Sequence, residues 1–112
     1  MHRVIPDGEI ARSHRGTLTF EGEGYGSGVS FFLVYNQPGE GPDLHRHPYE
    51  EVFIMYEGVA TFTVGDEQVE AGPGEIVVVP PNTPHKFVNS GEGRIRQVGI
   101  HRSPEVVQED LE

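Results

Sequence analysis

Three residues of this sequence have types and spacing that could do chemistry together: His45, His47 and Glu51. A neutral imidazole offers a nitrogen lone pair and a carboxylate adds negative charge, so the three side chains could bind one divalent metal ion. If residues 45–47 are extended, the rings of His45 and His47 point to the same face of the chain. An exposed polar loop would explain the two histidines equally well, so the pair alone does not decide.

The surroundings of Glu51 favour the metal. It opens the segment 51–56 (EVFIMY), whose composition is typical of a β-strand. In such a strand Glu51, Phe53 and Met55 share one face. A carboxylate on an otherwise apolar face needs a cation or strong donors to offset its desolvation. Neutral imidazoles carry no positive charge, whereas a metal ion bound by all three groups does.

A fourth ligand is supplied by His85, which follows a stiff proline-rich turn at residues 80–84 (PPNTP). Three imidazole nitrogens and one carboxylate oxygen are typical of a catalytic metal centre with open positions for water or substrate. The set accepts Fe, Mn, Ni, Cu or Zn as a divalent ion and does not select one. We therefore predict one divalent transition metal held by His45, His47, Glu51 and His85.

The same residues lie in two patterns of fixed spacing, separated by residues 59–73. The first has a glycine, His-x-His, a glutamate and a glycine, and the second has a glycine, a proline, an asparagine, a histidine and an asparagine. Their members are Gly39, His45, His47, Glu51 and Gly58, and then Gly74, Pro80, Asn82, His85 and Asn89. Together they resemble the two motifs of the cupin superfamily. Asn82 is the one departure, because the motif has glycine there, and asparagine replaces glycine well at positive φ.

This resemblance implies an all-β fold, a double-stranded β-helix (jelly-roll) barrel with the metal inside one end. It implies the four ligands above and selects Glu51 over the neighbouring Glu50. The remaining motif residues would be structural. Small single-domain cupins commonly form homodimers, partly by exchanging or adding edge strands, so a homodimer is expected. The segment 29–35 (VSFFLVY) is apolar enough to need cover on both faces, from the barrel core, from a partner or from both.

The elements that must position these residues are short strands between frequent turns. Alternation and β-rich composition predict strands at 17–20, 29–35, 51–56, 59–64, 68–71, 75–79, 85–89 and 94–101. We expect an N-terminal arm at 1–16, the barrel at 17–102 and a C-terminal tail at 103–112. Ser103, Pro104 and Glu105 resemble the start of a helix, so the tail is expected as either a short helix or an irregular segment.

Composition narrows the functional classes for a chain of 112 residues. The formal net charge is −10, which disfavours nucleic acid and anionic membrane surfaces as partners. The absence of cysteine excludes a disulfide framework, a zinc–thiolate site and a thiol nucleophile. No apolar stretch reaches the length of a signal peptide or a membrane helix. We expect a cytoplasmic protein whose partners are a small molecule and a second copy.

Strand parity suggests the lining of a substrate pocket. Phe53 and Phe87 share faces with ligands, and Phe31 and Tyr35, with Leu33 between them, are placed in the pocket. Phe32 and Val34 would take their place if the parity of that strand is opposite. Met55 is interpreted as core, whereas Tyr49 and Arg46 are expected to point away to the surface. His2 and His14 are interpreted as surface residues, and His101 is given no role.

A mostly apolar pocket beside a metal predicts a small organic substrate, aromatic or of keto/enol type. The sequence contains no independent general base, nucleophile or phosphate-binding loop, so any catalysis would rest on the metal. A metal-dependent oxidoreductase of the dioxygenase type is the first hypothesis. The alternatives are an isomerase or lyase that uses the metal as a Lewis acid, and a non-catalytic module that binds a metal or small ligand.

Overall fold

The computed structural model describes residues 2–12 and 16–112, and its regular structure is mostly β. Two short 3-10 turns span Asp7–Glu9 and Gly22–Tyr25. The strands are β1 (Ala11–Arg12), β2 (Leu18–Glu21), β3 (Ser30–Val34), β4 (His45–Arg46), β5 (Glu51–Glu57), β6 (Ala60–Val64), β7 (Glu67–Ala71), β8 (Ile76–Val79), β9 (His85–Asn89), β10 (Arg96–His101) and β11 (Glu109–Asp110). The predicted all-β fold is confirmed, and each predicted strand has a counterpart within a few residues.

The strands form two antiparallel sheets. Six strands are hydrogen-bonded in the order β1-β2-β3-β10-β5-β8, and five in the order β11-β4-β9-β6-β7. Neighbours such as β5 and β10 are far apart in sequence, so non-local pairing closes the two sheets around a single core. The buried apolar side chains between the sheets are Val34, Phe53, Met55, Ala60, Phe62, Ala71, Val79, Phe87 and Ile95. Met55 is therefore core, as the sequence suggested.

The turn before β9 fixes the position of His85. Its residue Asn82 has a φ of 60°, the single positive φ of a non-glycine residue in the described part of the chain. Asparagine tolerates this left-handed conformation better than other side chains do. The Asn82 N–H donates to the His47 carbonyl at 2.7 Å, which ties the turn to the segment that carries a second predicted ligand.

For residues 103–112, the sequence allowed a short helix or an irregular segment, and the structure shows the irregular one. The segment is extended rather than helical. Ser103 and Glu105 close a local turn through the Ser103 hydroxyl, but no helix follows it. The chain then adds β11 to the edge of β4, where Asp110 is the partner of His45. A helix this short is unstable by itself, so the segment pairs with an existing strand edge instead.

Within residues 2–12 and 16–112, no helix is both long and apolar enough to cross a membrane.

Candidate metal centre

Several strand ends meet at one end of the barrel and bring the four predicted ligands together. His45 begins β4, Glu51 begins β5 and His85 begins β9, while His47 directly follows β4. His45 and His85 are cross-strand partners. All four side chains are buried, and one ligand atom from each lies within 4.8 Å of the others. This cluster fits a site for a metal ion.

Backbone carbonyl groups fix which nitrogen of each histidine faces the cluster. The Nδ1 atoms of His45, His47 and His85 lie 2.7 Å, 2.8 Å and 2.8 Å from the carbonyl oxygens of residues 43, 107 and 83. Because a carbonyl oxygen only accepts hydrogen bonds, each Nδ1 carries the hydrogen and donates it. In the neutral rings, the three Nε2 atoms therefore hold lone pairs, as metal ligation requires.

The contacts inside the cluster test whether a cation fits it. Glu51 Oε1 lies 3.0 Å from His85 Nε2 and 3.2 Å from His47 Nε2. With Nδ1 protonated, a neutral ring has no hydrogen on Nε2 to give the carboxylate, so these pairs are favourable only with a proton or a cation between them. His47 Nε2 makes no hydrogen bond to any described residue. A divalent cation in the cluster satisfies that nitrogen and neutralises the carboxylate.

The protonation states of Glu51 and His45 are those required for binding a metal ion. Burial raises the pKa of the Glu51 carboxyl, but the hydrogen bond from His101 and the close approach of the His47 and His85 rings outweigh burial and hold that pKa well below its ordinary value. Burial lowers the pKa of His45, against a smaller opposing effect of its hydrogen bond to the Asp43 carbonyl. At neutral pH, Glu51 is thus a carboxylate and His45 a neutral imidazole, the forms that bind metals.

A residue without an assigned role in the sequence, His101, completes the surroundings of Glu51. Its Nε2 lies 2.8 Å from Glu51 Oε2, and its Nδ1 lies 3.1 Å from the Ser30 hydroxyl. Both His101 and Ser30 are fully buried. Gly99 makes room for this pair, because a Cβ there would lie 2.5 Å from Glu51 Oε2. The pairing register of β5 and β10 carries this relationship, so spacing along the chain gave no signal for it.

A second missed contribution comes from Tyr49 and the C-terminal tail. Tyr49 was expected to point to the surface, but its ring stacks on His47 at 5.0 Å between centroids. The Tyr49 hydroxyl accepts a hydrogen bond from the Val107 N–H at 3.0 Å and lies 3.3 Å from His47 Nδ1. Val107 therefore holds His47 through its carbonyl and Tyr49 through its N–H. Arg46 is at the surface, as expected, where it forms two hydrogen bonds with Glu109.

A cavity of about 390 Å³ adjoins the cluster. Its wall is largely apolar, and His45 and Glu51 connect it with the candidate metal centre. The lining residues are Thr17, Thr19, Phe32, Val34, Asn36, Gly41, Pro42, Asp43, His45, Glu51, Phe53, Phe87 and Gln108. A volume of this size suits a small organic molecule.

The cavity corrects the parity of strand β3. Phe53 and Phe87 line it, but Phe31 and Tyr35 lie outside it. Phe31 instead stacks on Phe20 at 4.6 Å between centroids, on the outer side of the sheet. The alternative parity, with Phe32 and Val34 facing inward, is the one observed. Both faces of β3 are apolar, so alternation could not reveal which face is inside.

Other motif residues support the frame around the centre. Asn89 is buried, and its amide donates to the carbonyls of Asn36 at 3.1 Å and Gly93 at 2.9 Å. Gly58 has a φ of 83°, and a Cβ there would lie 2.5 Å from the Arg94 carbonyl oxygen. Gly39 and Gly74 also have positive φ. Pro80 follows β8 directly and ends it.

The two histidines near the N-terminus were interpreted as surface residues. His2 is exposed, and His14 lies outside the described residues.

Residues 32–100 match the family model of the cupin domain. The chain belongs to the cupin family. Its curated relatives include an uncharacterized protein of Methanocaldococcus jannaschii, 39% identical over 49 residues, which cover 43% of this chain and 39% of that protein. Auxin-binding protein 4 of Zea mays is 36% identical over 79 residues, which cover 62% of this chain and 39% of that protein. This cupin thus spans about two fifths of the length of these two relatives.

Solved structures share the fold at low sequence identity. The cupin superimposes on an oxalate decarboxylase of Lactobacillus farciminis, in a complex with formate, with a TM-score of 0.83 and 19% identity. That match covers 93% of this chain and 34% of the decarboxylase. An oxalate decarboxylase of Bacillus subtilis, described for its Mn(II) centres, gives a TM-score of 0.81 at 20% identity over 91% of this chain and 29% of the decarboxylase.

Proposed function

We propose that this cupin is a small metalloenzyme, with one divalent transition metal held by His45, His47, Glu51 and His85. The observation that carries the proposal is the convergence of three Nε2 lone pairs and one carboxylate in a buried cluster. The carbonyl groups behind the three rings preset that arrangement before any metal binds. Such preorganisation favours binding, because little rotamer freedom remains to be lost.

Elemental analysis of the full chain, purified without a metal-affinity tag, tests this part. We expect close to one transition metal per chain, and we expect His47→Ala to lose it. His2→Ala is the matched control, since His2 is an exposed histidine remote in sequence from the cluster. If wild type binds none of the five candidate metals, or if His47→Ala binds as much as wild type, the metal site is wrong.

The substrate we propose is a small organic molecule with an apolar or aromatic body and one polar group that reaches the metal. The cavity supports this, because Phe32, Val34, Phe53 and Phe87 form much of its wall and His45 and Glu51 stand at one side. Five further lining residues have polar groups that would orient the substrate by hydrogen bonds: Thr17, Thr19, Asn36, Asp43 and Gln108.

For the reaction, a dioxygenase-type oxidation of an aromatic or keto/enol substrate is our first proposal. A redox-active metal bound in this site would supply electron exchange with dioxygen, and a Lewis-acidic one would polarise an oxygen of the substrate. The residues of the chain would orient the substrate and exclude water from it. Phe53 and Phe87 line the cavity and are at most 6% exposed, so they would present apolar surface to a substrate bound beside the metal.

The structural neighbours support a second candidate, a lyase that acts on a small carboxylic acid, because they are oxalate decarboxylases and one is described with Mn(II) centres. Oxalate itself, a dianion without any apolar part, fits poorly against four apolar side chains. We therefore propose that a lyase reaction here would use a carboxylic acid with an apolar substituent. A Lewis-acid isomerase belongs to the same class of chemistry.

Oxygen uptake separates these candidates. Wild type is loaded separately with Fe, Mn, Ni, Cu and Zn and is given a panel of aromatic, keto and carboxylic acids. Uptake that depends on both substrate and a redox-active metal supports the dioxygenase, and turnover without uptake supports the lyase or isomerase. Saturable binding without any turnover in the panel identifies a binding module and contradicts both enzyme proposals.

A further inference from the structure

Buried side-chain atoms without a hydrogen bond are few in the part of the chain that the structure describes, and they belong to two residues. They are His47 Nε2 and both polar atoms of the Gln97 amide, Nε2 and Oε1. The proposed metal ion accounts for the nitrogen of His47, but it does not account for Gln97. The Gln97 residue is 2% exposed, so bulk water does not supply the missing partners.

The unpaired amide of Gln97 destabilises the folded chain, because it loses its hydrogen bonds to water and gains none in return. Its cross-strand neighbours are Val34 and Met55, which are both buried residues of the apolar core. A methionine or a leucine would fill this position without the loss of hydrogen bonds. A polar group that folding disfavours and no neighbour satisfies is most often explained by binding.

Gln97 shares the inward face of β10 with two residues that adjoin the candidate metal centre. Alternate residues of a strand lie on one face, so this face of β10 carries His101, Gly99 and Gln97. His101 donates to Glu51, and a Cβ at Gly99 would also contact the Glu51 carboxylate. Gln97 lies farther from the centre, since four residues of strand beyond His101 correspond to about 13 Å.

The cavity beside the metal centre extends along β3 to the level of Gln97. Phe32 is the cross-strand partner of Gly99, and Val34 is the partner of Gln97. Both Phe32 and Val34 line the cavity. Gln97 adjoins this wall through Val34 but is not itself part of it. A change of rotamer at Gln97 or Val34 would bring the amide into contact with a ligand, and such changes are common on binding.

We infer that Gln97 determines specificity for the end of the substrate that lies farthest from the metal. Its amide offers both N–H donors and a carbonyl acceptor, so it suits a neutral group that also donates and accepts, such as a hydroxyl. A charged group fits poorly there, because a neutral amide among apolar side chains does not offset the desolvation of an ion. The substrate class is therefore a molecule with a metal-binding oxygen, an apolar or aromatic body and a hydroxyl at the opposite end. This inference rests on the proposed function, which places the first of these groups at the metal.

Thermal unfolding of the full chain, treated with a chelator, tests whether the amide of Gln97 is without a structural partner. Gln97→Met and Gln97→Leu replace it by apolar groups of similar size, and we expect each to raise the melting temperature by about 5 °C. Gln68→Leu, at an exposed glutamine of β7, is the matched control and should change the melting temperature little. If both substitutions of Gln97 lower the melting temperature, the amide has a structural partner such as a buried water, and the inference is wrong.

Isothermal titration calorimetry of the zinc-loaded full chain tests the contact with the substrate, since zinc allows binding without redox turnover. The probes are phenylpyruvate and 4-hydroxyphenylpyruvate, which share a keto acid group for the metal and differ by one hydroxyl at the opposite end. We expect wild type to bind the hydroxylated probe about tenfold more tightly. Gln97→Met should lose this preference while its affinity for phenylpyruvate stays within about twofold of the wild-type value. Gln68→Leu should keep the preference.

Two outcomes of the titration overturn the inference: equal affinities of zinc-loaded wild type for the two probes, or the same preference in wild type and Gln97→Met. Elemental analysis of the same samples gives the metal content, which Gln97→Met should leave at the wild-type level because all four candidate ligands are present. A wild type that binds no zinc or other candidate metal shows that the proposed metal site is wrong. A zinc-loaded wild type without the preference shows that the role of Gln97 alone is wrong.

Discussion

Glu51 Oε2 and His101 Nε2 lie 2.8 Å apart, although 50 residues separate them in sequence. A carboxylate oxygen only accepts, so the imidazole N–H of His101 donates to it. The other carboxylate oxygen, Oε1, faces the Nε2 atoms of His47 and His85. The hydrogen bond from His101 therefore orients the Glu51 carboxylate. Its Oε2 atom accepts from His101, and its Oε1 atom faces the candidate metal.

Replacing His101 should weaken metal binding without removing a ligand. We expect His101→Leu to lower the affinity about 10- to 100-fold, the usual effect of losing a hydrogen bond behind a metal ligand. His101→Gln should retain part of the affinity, because its amide N–H can donate to Glu51. Titration against a competing chelator gives both values. Equal affinities for wild type and His101→Leu would contradict a positioning role.

Gly99→Ala should disturb the same carboxylate by contact rather than by loss of a hydrogen bond. The added methyl group would lie 2.5 Å from Glu51 Oε2, a distance that forces the side chain to shift. We expect a loss of metal affinity of about tenfold or more while all four ligands are still present. Gly93→Ala is the control, since a Cβ at that position meets nothing within 4 Å. Chelator competition on the two variants should separate them clearly.

Removal of residues 106–112 should weaken the metal site through His47. The deletion removes the Val107 carbonyl, which accepts the His47 Nδ1–H at 2.8 Å, and frees the Tyr49 hydroxyl. It also removes Gln108 from the cavity wall. We expect the metal affinity to fall about tenfold and the melting temperature of the metal-loaded protein to decrease.

A chain shortened only by residues 111–112 is the comparison for this deletion. It loses the backbone hydrogen bond from Leu111 to Leu44 but keeps Val107 and Gln108. Its metal affinity should stay close to that of wild type. If both truncations weaken binding equally, the tail acts by general stabilisation of the fold and not through His47.

The pKa of Glu51 predicts how the stability of the metal-free protein depends on pH. Since the hydrogen bond from His101 and the contacts with the His47 and His85 rings hold the pKa of Glu51 below the ordinary value of 4.5, the ionised carboxylate stabilises the folded state. That contribution is complete above the unfolded-state pKa, near 4.5, and is lost as the pH falls toward the folded-state pKa. Below pH 4.5, the free energy of unfolding should fall more steeply for wild type than for Glu51→Gln.

Urea unfolding of chelator-treated protein, at a series of pH values from neutral to strongly acidic, measures this difference. Glu50→Gln serves as the control, because it removes a carboxylate at the adjacent position, where the side chain is partly exposed. Parallel pH profiles for wild type and Glu51→Gln would show that Glu51 ionises in the folded protein as it does in the unfolded chain.

The sequence by itself determined the class of fold and predicted the candidate ligand set. His45, His47, Glu51 and His85 stand at spacings that local physics can interpret, because extended segments put alternate side chains on one face and the Pro-rich turn starts β9. Residues whose type conflicts with their neighbours, such as Glu51 in an apolar strand, indicate function even without coordinates. The presence of Asn82 where the motif has glycine could also be interpreted from the sequence. The backbone angle φ is a local property of a residue, and asparagine tolerates a positive value.

Only the tertiary structure decided what lies behind and beside those ligands. His101 reaches Glu51 because β10 pairs with β5 in one register, and that register is a long-range property. The sequence left open whether the tail is a short helix or an irregular segment, and the irregular form is observed because the tail pairs with the edge of β4 and accepts a hydrogen bond from His47. The inward face of β3 was ambiguous for a related reason: both of its faces are apolar, and pairing with β2 and β10 decides which one faces the core.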